Sequence, residues 1–78
     1  MSTSEKTVTE MTVVTEYREN GETSREDSNT HVIGTWTYKG IAKNHARMCK
    51  KHHPQCEITR VIIINNGFTC AMRPSEWE

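Results

Sequence analysis

Between Tyr38 and His53, apolar and charged positions recur every three to four residues, the period of an amphipathic helix. One face carries Tyr38, Ile41, Ala42, His45, Met48, Cys49 and His52. The opposite face carries Lys39, Lys43, Arg47, Lys50 and Lys51, with His53 at its edge. The helix stops at His53-Pro54, because proline pushes the preceding residue out of helical geometry.

Around this helix the period shifts to two. Thr7 to Arg18 is rich in Thr and Val, with Val13, Thr15 and Tyr17 alternating against Val14 and Glu16, a strand pattern. His31 to Tyr38 reads as a second strand, with Val32, Trp36 and Tyr38 on one face and Trp36 as its core anchor. Between them, Glu19 to Asn29 is polar and reads as a loop around the Asn20-Gly21 turn signal. Cys56 to Ile64 is apolar on both faces towards its end, as expected of a central strand. Asn65-Asn66-Gly67 marks a hairpin turn, and Phe68 to Met72 returns as the last strand, with Phe68, Cys70 and Met72 facing one way. Pro74 ends it.

The order strand, strand, helix, strand, strand predicts an α+β fold. An antiparallel sheet of about four strands carries one helix packed on one face. The expected organisation is a disordered tail over residues 1–6, a single domain over 7–74, and a short tail over 75–78 with Trp77 exposed. Edge strands come with this architecture, and the Thr-rich first strand is a place where a partner or a second copy could pair.

Composition changes the picture in three ways. Apolar residues make up 33% of the 78 residues, low for a globular chain, so the core is thin. The net charge of zero hides an asymmetry. Residues 1–30 hold three cations against seven carboxylates, a net of −4, and residues 31–78 hold seven cations against three carboxylates, a net of +4. Such a division suits oriented docking on a charged macromolecule. Finally, the three cysteines do not read as a disulfide framework, and neither a secretion signal nor a membrane-length apolar run is visible. A cytoplasmic setting with free thiols follows as the expectation.

The candidate chemistry lies on the helix. His45, Cys49, His52 and Cys56 have spacings that invite a zinc site, since His45 and Cys49 stand one turn apart. Against zinc, the same residues occupy the only apolar face available to cover the sheet, and no paired CxxC knuckle is present. No cofactor is therefore expected. A Cys-His nucleophile is weaker still, because no acid orients it and no glycine-rich oxyanion loop is present. The expected protein is not an enzyme. Lys39, Lys43, Arg47, Lys50 and Lys51 are the leading partner-binding residues, suited to a phosphate backbone or an acidic protein surface. Glu19, Glu22, Glu26 and Asp27 in the expected loop form a rival contact surface of opposite sign.

This layout, with Ala42-Lys43, Ala46 and Cys49 on the helix, Ile58-Thr59-Arg60-Val61 in the third strand and Asn66-Gly67 in the turn, resembles the small type I-F anti-CRISPR proteins of phages and mobile elements. The likeness is one of architecture and covers roughly Thr7 to Met72. A phage inhibitor of host RNA polymerase has a comparable strand–helix–strand layout. The resemblance implies stoichiometric inhibition of a host nucleic-acid-handling complex in the host cytoplasm, with Lys43, Arg47 and Lys50 carrying the contact. The acidic segment from Glu19 to Asp27 departs from that pattern and could act partly as a phosphate mimic. The alternatives are a small DNA- or RNA-binding protein that uses the basic face directly, and a zinc-binding module. The expected partner is a host protein or ribonucleoprotein, with no membrane, and the chain is read as a monomer or homodimer.

Overall fold

The structure is a computed structural model that describes residues 8–78, so the tail expected over residues 1–6 lies outside the described residues. Its elements are β1 (Val8–Glu19), β2 (Glu22–Ile33), α1 (Tyr38–His52), β3 (Glu57–Asn65), β4 (Phe68–Met72) and α2 (Pro74–Trp77). The strands form one sheet in the order β2-β1-β3-β4, every pair antiparallel. The α+β architecture with a principal helix on one face is the one expected from the sequence.

The expected loop over Glu19–Asn29 is instead a two-residue turn and most of a twelve-residue strand. Asn20 (φ 56°) and Gly21 (φ 81°) both have positive φ, the signature of a type I′ turn, whose twist matches that of the strands it joins. Register then runs without a break from Glu19 opposite Glu22 to Val8 opposite Ile33. The second strand therefore ends at Ile33 rather than at Tyr38. Trp36 belongs to the connection into α1 and sits partly buried at the margin of the core, its indole N–H donating to Thr9 Oγ1 at 3.3 Å. The first strand is no edge either: β1 is bonded to β2 along its length and to β3 from Thr12 onward, so the sheet edges are β2 and β4.

β3 lies inside the sheet, as its apolar run requires. It also carries a bulge. Arg60 pairs with Glu16 and Ile58 with Tyr17, which leaves Thr59 as an extra residue whose hydroxyl donates to the Glu16 carbonyl at 3.0 Å. The bulge changes the alternation, so that Ile58, Val61 and Ile63 are all buried beneath the helix layer.

α1 starts at Thr37, whose Oγ1 accepts from Gly40 N–H at 3.0 Å, and ends at His53, whose N–H donates to the Cys49 carbonyl at 2.8 Å. Its inward side chains are Ile41, Ala42, Ala46 and Cys49. Three of these are small, which lets the helix approach the sheet closely over Met11, Val13, Val61, Ile63 and Met72. Met48 and His52, expected on the covering face, are exposed instead, because the helix packs over β1 and β3 and leaves β2 largely uncovered.

The expected C-terminal tail also contributes to the core. Pro74 stands in the first turn of α2 and the Glu76 carboxylate accepts from Arg73 N–H at 2.9 Å. Trp77, expected to be exposed, is 8% exposed and closes the core between α1 and β3.

Candidate docking surfaces

Lys39, Lys43, Arg47, Lys50 and Lys51 are all exposed. At 100° per residue they fall within an arc of roughly 120°, and Lys39 to Lys51 spans roughly 18 Å of helix axis. None of the five has a carboxylate oxygen within 4.0 Å among the described residues. Lys50 and Lys51 also stand in the last turn, where cations oppose the negative end of the helix dipole. Lys39 and Lys43 lie outside that turn and gain nothing comparable from it.

The acidic residues are arranged differently from the single loop expected of them. Glu19, Glu22 and Glu26 occupy the helix side of the β1–β2 hairpin, and Asp27 alternates to the other side. Glu19 and Glu26 are committed internally. His53 lies between them, with Nδ1 3.3 Å from Glu19 Oε1 and Nε2 3.1 Å from Glu26 Oε2. The Tyr17 ring stacks on the imidazole at 4.7 Å, and the Tyr17 hydroxyl is 3.3 Å from His53 Nε2. Burial beneath the helix pushes the Tyr17 hydroxyl above its ordinary pKa, and the carboxylates of Glu26 and Glu19 add to the effect. Glu26 also faces His52 Nδ1 at 3.7 Å, and Asp27 faces Arg25 at 3.7 Å. Of the four acidic residues only Glu22 has no histidine or arginine partner among the described residues.

The four candidate metal ligands are not gathered. His45 Nε2 is hydrogen-bonded to Thr30 Oγ1 at 3.2 Å, and burial holds its pKa below the usual value. His52 turns to Glu26, while Cys49 and Cys56 sit in the core. Burial pushes the Cys49 thiol up to about 12, with Glu26 and Cys56 contributing, so it is protonated at neutral pH and a poor ligand or nucleophile. Among the described residues no group of three or more His, Cys, Asp or Glu side chains is placed to hold a metal ion.

Two features escaped the sequence reading. One is the His53 clasp, whose signal was the helix-ending His53-Pro54 beside an alternating strand that carries Tyr17 and Glu19. The other is a groove of about 470 Å³ between α1, α2 and the start of β3. Lys43, Arg47 and Lys50 line it from the helix, together with Ile58, Trp77 and Pro74 and the carboxylates Glu57 and Glu78. Pro74 with Glu76 two residues on was the signal for the short helix that builds it.

No protein-family model matches the chain, and neither the curated proteins nor the solved structures contain a match to it. Among the described residues no helix is long and apolar enough to cross a membrane.

Proposed function

We propose that this chain is a non-enzymatic docking protein that presents the outer face of α1 to an anionic surface of a nucleic-acid-handling complex and occludes it. The observation that carries this reading is the contrast between the two charged surfaces. Five exposed cations on one arc of α1 have no carboxylate within 4.0 Å among the described residues, whereas Glu19 and Glu26 each face a histidine and Asp27 faces Arg25. A charge without an internal partner is available for an external one, and complementary fields guide encounter and register. The acidic rival loses ground for the same reason. The narrower reading, a phage-borne inhibitor of the anti-CRISPR kind, draws on the resemblance in element order and motifs.

The test is affinity capture from a bacterial lysate with the wild type and a Lys43→Glu, Arg47→Glu, Lys50→Glu variant. The wild type is expected to retain a nucleic-acid-handling complex and the variant to lose it. A folded variant that retains the same complex overturns the reading.

A second reading, direct nucleic-acid binding, is favoured by the regular placement of Lys39, Lys43, Arg47 and Lys51, one every four residues or roughly 6 Å of axis. Direct contact with about four phosphates of a naked duplex gives a log–log salt slope of about −3.6. A protein that docks only on protein shows no such binding.

A further inference from the structure

The groove between α1, α2 and β3 joins three chemistries that a phosphate chain does not use together. Lys43, Arg47 and Lys50 supply cations, Ile58 and Trp77 supply an apolar base, and Glu57 supplies a carboxylate from the adjoining strand. A polyphosphate backbone needs no apolar base and has no N–H donor to offer the carboxylate in the same groove, whereas a peptide backbone has one. A purely acidic surface leaves the Ile58 and Trp77 side unused. At about 470 Å³ the groove lies within the range of roughly 300–1,000 Å³ usual for ligand pockets, enough to seat one large side chain.

We propose that this groove is the docking site for an acidic segment of a partner protein that carries one bulky apolar side chain among its carboxylates. The inference rests on the docking reading above and names the partner surface as protein. The segment's carboxylates meet Lys43, Arg47 and Lys50, and its apolar side chain lies against Ile58, Pro74 and Trp77. Glu57 and Glu78 accept from its backbone N–H groups. Charge complementarity favours this occupant, because among the described residues the cations have no internal carboxylate within 4.0 Å even though Glu57 and Glu78 line the same groove. Anchoring by one large side chain inside a charged rim is the usual division of labour at protein interfaces.

The experiment is a titration of isotope-labelled protein followed by amide and indole NMR shifts, with three probes. The first is a blocked peptide, Glu-Asp-Phe-Glu-Asp, the second its Phe→Ala analogue, and the third an eight-nucleotide oligothymidylate. The Phe peptide is expected to move the Trp77 indole and the amides around Lys43, Arg47 and Lys50. The Ala analogue is expected to bind about tenfold more weakly. A Lys43→Glu, Arg47→Glu variant is expected to lose the shifts, whereas Arg25→Glu, on the distant edge strand, keeps them. Equal binding of the two peptides, no shift with either, or displacement of the peptide by the oligonucleotide overturns the inference. If lysate capture depends on the cations while the two peptides bind alike, the docking reading stands and the groove assignment falls. If capture ignores the cations, the docking reading itself falls.

Discussion

His53 Nε2 lies 3.1 Å from Glu26 Oε2, a contact between the residue that ends α1 and the middle of edge strand β2. With Glu19 at the other ring nitrogen and Tyr17 stacked on the ring, it ties the end of the helix to the hairpin. β2 is largely uncovered by the helix, so this clasp is one of its few tertiary attachments.

Glu26→Ala should therefore lower stability by about 1 kcal/mol, a modest figure because both partners are about a third exposed and solvent weakens the attraction. Urea denaturation measures it. Faster hydrogen exchange along β2 should accompany the loss. An unchanged midpoint together with unchanged exchange would show that the clasp holds nothing.

His45 gives a pH dependence with a definite sign. Burial lowers its folded pKa below the unfolded value of 6.5. The unfolded chain then binds the proton more readily, so stability falls as pH drops from about 6.5 through the folded pKa. His45→Gln should reduce the difference between urea midpoints at pH 7.5 and pH 5.0. An identical difference in wild type and variant would remove His45 as its source.

Trp77→Ala should cost about 3–4 kcal/mol, the usual cost of emptying a buried aromatic site. A chain of 78 residues commonly has about 4–12 kcal/mol in total, so the variant should be close to unfolding. Thermal or chemical denaturation decides the matter. A loss below about 1 kcal/mol would mean that Trp77 is a surface residue after all.

The thiols should separate by environment. Cys49 and Cys56 are buried, and the Cys49 pKa of about 12 leaves almost no thiolate at pH 8, whereas Cys70 is only half-buried. A disulfide reagent should label one thiol rapidly in the native protein and all three in 6 M guanidinium, as about expected when burial sets reactivity. Rapid native labelling of all three would contradict this placement of the cysteines.

Much of this fold was legible where hydrophobic period and turn chemistry agree. α1, the interior position of β3 and the Asn66-Gly67 hairpin all came from such agreement. β2 was not legible as a whole, for a physical reason. A strand that no helix covers has no buried face, so ENGETSREDSN shows no alternation, and its pairing comes from the Asn20-Gly21 turn and from β1 alongside. Val32, Trp36 and Tyr38 mimicked alternation across a helix cap, because Gly34, at φ 88°, breaks the strand and Thr37 caps α1 where a longer strand was expected. Trp77 was misplaced because one apolar residue near a chain end carries no period, although Pro74 and Glu76 marked a helix start. At the candidate site, the cation stripe could be read directly from helical spacing. Its partner groove could not, since Ile58 and Trp77 approach the helix only through the tertiary fold.

The central place of β1 has a consequence for how the chain folds. Both of its neighbours run antiparallel to it, but one arrives through a two-residue turn, while β2 and α1 lie between Val13 and Ile63 in the chain. Each hairpin closes through sequence-local contacts, which form in about 1–10 μs. The seam between β1 and β3 joins distant parts of the chain and requires the larger loss of chain entropy. Closure of that seam, where Val13 meets Ile63 and Thr15 meets Val61, should therefore be slower than closure of either hairpin.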